Sequence, residues 1–301
     1  MTINWKGVFP AVTTKFNQDH SIDLNSFQKN LHAQLEAGVH GFVLGGTLGE
    51  ASVLREDEKR MLIAAAREVA ANQVPVIINI AEPTTQGAKL SVKELERQGA
   101  DGFMLLPPMR YPADEREALQ FLHEVASSTG LPVMIYNNPV DYRIEVTLEM
   151  FDKLSELPNV QAVKESTRDI TNITRMINRF GDRFSILCGV DTIAVESLFM
   201  GARGWVAGLV CAFPRETVAI YELMQQKRYD EARALFRWFL PLLELDIHPK
   251  LVQYIKLAET ATGLGTEMVR PPRLPLIGEE RSRVLGIINQ ALDLRPEIPS
   301  L

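Results

Sequence analysis

The chain has 301 residues, of which 46% are hydrophobic and 23% charged, with a formal net charge of -6. These values predict a soluble globular protein with a substantial core, and the negative charge argues against general binding to nucleic acid or anionic membranes. The sequence has no apolar run long enough to span a membrane and begins without a signal-peptide core. Its two cysteines and five histidines show no disulfide framework or metal-ligand spacing. We therefore expect a cytoplasmic protein with no metal site.

Short apolar strands alternate with helices along the first 225 residues. The predicted strands are residues 7–14, 41–44, 76–80, 102–106, 133–136, 160–164, 184–188 and 205–207. The predicted helices are residues 26–37, 56–71, 84–97, 114–128, 147–155, 170–180, 192–200 and 214–225. Repeated strand–helix units whose strands are apolar on both faces are typical of an α/β protein of the (β/α)8 TIM barrel class. An open doubly wound sheet would give a similar alternation.

The strand pattern stops after residue 225. Residues 229–245, 250–262 and 279–292 are predicted helices. We therefore expect a barrel over residues 1–225 that carries the active site, and a C-terminal three-helix appendage over residues 226–301. No glycine-rich phosphate loop follows any predicted strand, so nucleotide binding has no support.

Lys164 ends the predicted sixth strand. Strand alternation places Val160, Ala162 and Lys164 on one face. If that face lines a barrel interior, burial favours the neutral amine, which is a nucleophile toward a carbonyl. On this segment alone, a strand-end lysine that reaches water is the better interpretation.

Tyr136 and Thr47 change that balance because they also follow predicted strands, at the edge where barrel enzymes place their chemistry. A phenol beside a lysine can carry protons while a carbonyl becomes an imine. The turn around Thr47 contains Gly45, Gly46 and Gly49, whose backbone amides can bind a carboxylate. Separately, a buried tyrosine and a plain turn explain these residues. Together with Lys164, they indicate a site.

Three segments resemble a known family: Gly-Thr-Leu-Gly-Glu at 46–50, Tyr-Asn-Asn-Pro at 136–139 and Val-Lys-Glu-Ser at 163–166. They resemble signatures of the dihydrodipicolinate synthase and N-acetylneuraminate lyase family, and residues 189–191 and 204–214 resemble its seventh- and eighth-strand segments. The resemblance covers essentially the whole chain. It implies a class I aldolase-type (β/α)8 barrel, usually a homotetramer, whose lysine forms a Schiff base with pyruvate or another 2-oxo acid.

The resemblance also implies roles for individual residues. Lys164 would form the Schiff base, Tyr136 would relay protons, and Thr47 would hold the substrate carboxylate and orient the tyrosine hydroxyl. No cofactor is implied beyond the covalent imine on Lys164. The remaining substrate-binding positions are Gly46, Leu48 through its amide, Asp141, Arg143, Val206 and Gly208.

Several positions depart from the family pattern. Leu48 replaces a second hydroxyl residue, and Met109 replaces a tyrosine that completes a proton relay in dihydrodipicolinate synthases. Asp141 stands where those enzymes place an arginine that binds the carboxylate of the aldehyde substrate. If partly buried, Asp141 would repel an anionic second substrate by a few kcal/mol. The lysine-biosynthesis reaction is therefore disfavoured.

The expected function is a Schiff-base lyase of the deaminase or dehydratase type. Asp141 with Arg110 or Arg143 suits a hydroxylated substrate, and the resemblance favours 1-pyrroline-4-hydroxy-2-carboxylate deaminase, an assignment that adds hydrolase to the class of lyase. Three alternatives stay open: a 2-keto-3-deoxy sugar-acid aldolase or dehydratase, a 4-hydroxy-tetrahydrodipicolinate synthase, and a non-catalytic barrel that binds 2-oxo acids.

Overall fold

Eight parallel strands form the centre of the computed structural model, which describes residues 3–108 and 111–301. Met109 and Arg110, to which the sequence analysis assigns roles, lie outside the described residues. The strands pair in the order β1-β8-β7-β6-β5-β4-β3-β2, and a parallel bridge from Ala11 to Val43 connects the two end strands. The sheet thus closes into the predicted barrel. The strands are β1 (Gly7–Pro10), β2 (Phe42–Leu44), β3 (Val76–Ile80), β4 (Gly102–Leu105), β5 (Val133–Asn137), β6 (Val160–Glu165), β7 (Ser185–Cys188) and β8 (Gly204–Ala207).

Helices surround the strands, and three more follow the barrel at its C-terminal end, as predicted. Polar side chains cap the N-termini of several of these helices. Asp114, for example, accepts from the Glu117 amide at 2.8 Å, and Glu117 returns a bond to the Asp114 amide. None of these helices is both long and apolar enough to cross a membrane. The helices are α1 (Leu24–Glu36), α2 (Glu56–Ala70), α3 (Thr85–Arg97), α4 (Glu115–Ala126), α5 (Pro139–Tyr142), α6 (Leu148–Leu154), α7 (Thr171–Phe180), α8 (Ala194–Phe199), α9 (Pro214–Gln225), α10 (Tyr229–Leu243), α11 (Leu251–Ala261) and α12 (Gly278–Asp293).

Most element boundaries differ from the prediction by no more than two residues, and three differences need an explanation. β1 ends at Pro10 rather than residue 14, and beyond it Thr13 and Thr14 direct their hydroxyls to Glu259 and to the Gly49 carbonyl. The short helix α5 was not predicted, since its Asn138-Pro139 start resembles a turn. The helix predicted to end at residue 245 stops at Leu243 and continues as a 3-10 turn over Glu244–Ile247.

The barrel interior is packed by one side of each strand, including Phe9, Met134 and Leu187. Ala162 lies in this interior cluster, as the strand alternation predicts. Val160 was expected on the same face but packs in the outer cluster between strands and helices. The reason is a register shift between β5 and β6, in which the consecutive residues Val133 and Met134 face Val160 and Ala162.

Two buried ion pairs attach the C-terminal helices to the barrel. Lys256 on α11 places its Nζ 2.5 Å from Glu50 Oε1, and Lys15 places its Nζ 2.9 Å from Glu259 Oε2. All four side chains are 0% exposed. α11 is therefore fixed to the loops that follow β1 and β2.

Candidate active site

β5 and β6 bring Tyr136 and Lys164 side by side at the C-terminal mouth of the barrel. The two residues are direct register partners in adjacent parallel strands, so their side chains leave the same face. The Lys164 Nζ lies 4.1 Å from the centroid of the Tyr136 ring. Lys164 is 7% exposed and Tyr136 8%. The lysine is therefore inside the barrel against a phenol and does not extend into water.

Burial controls the charge of Lys164. Desolvation lowers the pKa of Lys164, while Tyr142, Asp246 and Asp191 in their charged forms would act in the opposite direction. None of the carboxylates in residues 3–108 and 111–301 lies within ion-pair distance of its Nζ. Because desolvation outweighs the surrounding charge, the pKa of Lys164 is lowered and the balance shifts toward the neutral amine, the form that attacks carbonyl carbon.

A second phenol, from Tyr142, reaches the same site from helix α5. Its hydroxyl is 2.7 Å from Thr47 Oγ1, and its ring packs edge-on against Tyr136 with centroids 5.5 Å apart. Thr47, Tyr136 and Tyr142 thus bring three hydroxyl-bearing side chains to the cavity that Lys164 also lines. Sequence reasoning missed Tyr142 because the helix that carries it was not predicted.

Asn138 orients the first phenol. Its Oδ1 caps α5 by accepting from the Asp141 amide at 3.1 Å, and its Nδ2 donates to the Tyr136 hydroxyl at 3.0 Å and to Asp141 Oδ2 at 2.7 Å. Burial raises the pKa of Tyr136 to about 12. The phenol therefore keeps its proton near neutral pH and can donate it to an oxygen that leaves.

A cavity of about 80 Å³ opens beside the Lys164 amine. It gathers almost all the predicted site residues. Those that line it are Gly46, Thr47, Leu48, Tyr136, Asp141, Lys164, Val206 and Gly208. Arg143 follows the last residue of α5 and lies outside this lining. Arg168 lines the mouth instead, with its Nη2 3.9 Å from Asp141 Oδ1.

A larger groove of about 650 Å³ lies on the other side of Thr47. It shares Gly46, Thr47, Asn79 and Tyr142 with the smaller cavity, but Lys164 does not line it. The chemistry therefore places the candidate active site in the smaller cavity, because only there do the amine and the Tyr136 phenol meet.

The loops after β7 and β8 complete the walls. A Cβ at Gly189 would lie 2.1 Å from Ser166 Oγ and 2.7 Å from Lys164 Cγ, so only glycine permits this approach. The Asp191 carboxylate accepts from Trp205 Nε1 at 2.8 Å and from the Leu209 amide at 2.9 Å. Asp191 thus holds the loop that follows β8 in place, which explains an aspartate in the segment 189–191.

Other residues of the recognised segments are structural. Glu165 points away from the cavity and accepts from the Thr167 amide at 2.8 Å and Asn172 Nδ2 at 2.9 Å. Asn137 donates to the same carboxylate at 3.3 Å. These bonds fix the ends of β5 and β6, and so fix the positions of Tyr136 and Lys164 between them.

The C-terminal region also reaches the cavity. Asp246, Ile247 and Leu251 line it, and Asp246 lies on the 3-10 turn between α10 and α11. No local sequence signal marks Asp246, because its position depends on how the appendage folds over the barrel. Among the described residues, no three His, Cys, Asp or Glu side chains form a group suited to a metal ion.

Known proteins resemble this chain over nearly its full length. It is 28% identical over 294 residues to 4-hydroxy-tetrahydrodipicolinate synthase from Methanothrix thermoacetophila, covering 96% of this chain and 98% of the relative. It is 30% identical over 295 residues to the enzyme of the same name from Archaeoglobus fulgidus, covering 96% and 99%. A solved dihydrodipicolinate synthase structure from Bacillus anthracis superposes with a TM-score of 0.91 at 26% identity, covering 96% of this chain and 99% of that one.

A match to a family model shows to which class of enzymes these relatives belong. The family model described as "Dihydrodipicolinate synthetase family" matches residues 4–291. The relatives are lyases, so the additional expectation of a hydrolase is not supported. The fold, the site geometry and the family match agree: this chain belongs to the dihydrodipicolinate synthetase family of class I Schiff-base lyases.

Proposed function

We propose that this protein forms a Schiff base between Lys164 and the carbonyl carbon of a 2-oxo acid, or of its cyclic-imine equivalent. The observation that carries the proposal is the buried Lys164 amine, 4.1 Å from the Tyr136 ring centroid and without an ion-pair partner among the described residues. A neutral, desolvated amine beside a proton donor is what imine formation requires.

The first step is attack of the Lys164 amine on C2 of the substrate. A C–N bond forms and the carbonyl oxygen takes a proton, giving a carbinolamine. A further proton from the Tyr136 phenol lets that oxygen leave as water, and the C2–N bond becomes an iminium. Across the step, one amine, one ketone and one proton become one iminium and one water. With a cyclic imine, the ring nitrogen leaves C2 in place of water.

The substrate carboxylate has a binding site beside the amine. The turn after β2 presents Thr47 and the backbone amides of Gly46 and Leu48, which line the cavity. Holding the carboxylate there orients C2 toward Lys164 and C3 toward Tyr136. The Tyr142–Thr47 pair adds a second phenol for proton exchange with the outside.

The iminium then acidifies C3, and a group on the next carbon can leave. Asp141 stands where the family's synthases carry an arginine, and it offers no positive charge to a carboxylate at the far end of the substrate. Its side chain is 56% exposed and lies 3.9 Å from Arg168 Nη2, so its repulsion of such a carboxylate is weaker than that of a buried, unpaired aspartate. A hydroxylated tail fits better. 1-Pyrroline-4-hydroxy-2-carboxylate has this chemistry, with loss of water followed by release of ammonia as the deaminase outcome. A 2-keto-3-deoxy sugar acid has the same head and a longer hydroxylated tail. We also propose that the protein is a homotetramer, as the family resemblance implies.

Borohydride trapping tests the imine. The protein is incubated with pyruvate or the hydroxylated pyrroline, reduced, digested and analysed by mass spectrometry. We expect one adduct, on Lys164, and none in the Lys164→Arg variant. An unmodified wild-type protein, or an adduct elsewhere, would reject the proposal. Turnover with the pyrroline would separate an enzyme from a barrel that only binds 2-oxo acids.

A second candidate is the reaction named in the relatives, 4-hydroxy-tetrahydrodipicolinate synthesis. Those names and the shared fold favour it, and Asp141 opposes it. Condensation of pyruvate with an anionic aldehyde should be slow in the wild type. Replacement of Asp141 by arginine should increase it. Rapid condensation by the wild type would favour this candidate over the deaminase or dehydratase.

A further inference from the structure

Asp246 is the one carboxylate that the C-terminal region contributes to the lining of the cavity, among the described residues. It stands on the 3-10 turn Glu244–Ile247, which packs against the segment Asp191–Ile193. A Cβ at Gly208 would lie 2.3 Å from Asp246 Oδ1. The glycine at 208 therefore allows this carboxyl to pass close to the backbone beyond β8 and to enter the cavity.

The Asp246 carboxyl has no side-chain or backbone hydrogen-bond partner in the described part of the chain. The other carboxylates around the site are held: Asp141 accepts from Asn138, and Asp191 accepts from Trp205 and Leu209. A polar group that faces a cavity without a protein partner is free to bind a ligand.

Ser166 adds a second polar group to the lining of the cavity. It lines the cavity and is 2% exposed, and its Oγ is buried without a hydrogen-bond partner among the described residues. A buried hydroxyl without a partner costs free energy unless a ligand or water satisfies it. The cavity thus offers the Asp246 carboxyl, which has no protein partner among the described residues, and the Ser166 hydroxyl near the Tyr136 phenol, in addition to the amine and the phenols.

We propose that Asp246 binds a hydroxyl on C4 of the substrate and gives it the proton with which it leaves as water. This inference rests on the proposed Schiff base. The substrate class is then a 2-oxo acid, or its cyclic imine, with an uncharged tail that carries a hydroxyl two carbons from the imine carbon. Asp246 would be a catalytic residue for the elimination half of the reaction, supplied by the appendage.

The step balances as a loss of water. C3 gives a proton to the Tyr136 oxygen, which lost its own proton when water left the carbinolamine. The resulting enamine electrons form the C3–C4 double bond while the C4–O bond breaks. The leaving oxygen takes the proton of Asp246, and the carboxylate recovers a proton from solvent after water departs. No oxidant, reductant or metal is required.

The buried position of Asp246 and the carboxylates near it favour the protonated form of its carboxyl. Burial raises the pKa of Asp246 well above its ordinary value, and Asp191 and Asp141 raise it further, while Lys164 and Arg168 lower it. A carboxyl whose pKa is raised keeps its proton to higher pH and can act as an acid.

The test compares Asp246→Asn with wild type and with Glu244→Gln, an exposed change on the same turn. Asparagine keeps the shape but carries no transferable proton. We expect turnover of the hydroxylated substrate to fall about 10²-fold or more, as for loss of a general acid. Pyruvate trapping on Lys164 should remain complete in all three proteins. Equal turnover in Asp246→Asn and wild type would overturn the inference.

A substrate with chloride in place of the C4 hydroxyl sharpens the test, because chloride leaves without a proton. The Asp246→Asn variant should process it within about threefold of wild type if Asp246 is an acid. An equal loss on both substrates would contradict acid catalysis and indicate a structural role. The wild-type rate should also fall as pH rises through the Asp246 titration, and that limb should vanish in the variant. Absence of trapping in the wild type would instead reject the proposed function itself.

Discussion

Lysines are buried at two places in this molecule, and their surroundings differ. Lys15 and Lys256, where α11 meets the barrel, are in contact with Glu259 and Glu50. Lys164, at the barrel mouth, faces a phenol and a cavity, with no ion-pair partner in the part of the chain that the structure describes. Burial lowers the pKa of Lys256 to about 8 even beside Glu50, and it lowers the pKa of Lys164 as well. Burial is thus common to both places.

The missing partner is what separates a reactive lysine from a structural one. A buried ion pair recovers part of its desolvation cost by mutual attraction, and each partner depends on the other. The Lys164 amine has no such compensation, so it is destabilising in the folded state and available to a substrate. We expect substitutions at the two places to affect opposite properties.

The largest expected effect is on activity, from Lys164→Met. Turnover and trapping should be abolished, because the nucleophile is removed. The free energy of unfolding should stay unchanged or rise by about 1 kcal/mol, since an unpaired polar group leaves the interior. Chemical denaturation and a turnover assay together measure this. A loss of stability would show that the amine is structural, which would break the comparison.

The next effect is on stability, from Lys256→Met. Removing one partner of a buried pair leaves Glu50 uncompensated, and we expect a loss of about 3–5 kcal/mol in the free energy of unfolding. Urea titration measures it. Where the variant stays folded, trapping on Lys164 should persist. A variant as stable as wild type would mean that this pair does not hold α11 on the barrel.

Tyr142→Phe tests the site rather than the packing. The change removes the hydroxyl that lies 2.7 Å from Thr47 Oγ1 and keeps the ring against Tyr136. We expect kcat to fall about 10²-fold with little change in stability. Tyr229→Phe, at an exposed position on α10, is the matched control. Kinetics equal to wild type would remove Tyr142 from the proton path.

The smallest effect is expected at the surface. Lys153 Nζ lies 3.3 Å from Glu156 Oε1, and both side chains are 64% exposed. Lys153→Met should change the free energy of unfolding by less than about 1 kcal/mol, because water screens the pair. The same lysine-to-methionine substitution thus serves as the exposed reference for the two buried sites. A loss as large as that at Lys256 would show that burial does not set the effect.

The sequence predicted the barrel and the central residues of its site because both follow from local patterns. Strand periodicity places Tyr136 and Lys164 at strand ends, and a parallel barrel gathers those ends at one mouth. The residues that were missed depend on tertiary structure. The position of Tyr142 depends on the short helix α5, which was not predicted because Asn138-Pro139 is typical of a turn. Asp246 comes from a turn about 100 residues further along the chain. The Lys15–Glu259 pair joins residues 244 positions apart, which no local pattern can relate.

The pH dependence of borohydride trapping tests most directly whether an unpartnered, buried lysine is the reactive group. Wild-type protein is trapped with pyruvate across a pH series, and the Lys164 adduct is quantified by mass spectrometry. Burial lowers the pKa of Lys164 below its ordinary 10.5, and only the neutral amine attacks. We therefore predict that the trapping rate rises with pH and reaches half its maximum below 10.5. A midpoint at the value of an exposed lysine, or adducts spread over other lysines, would contradict the account.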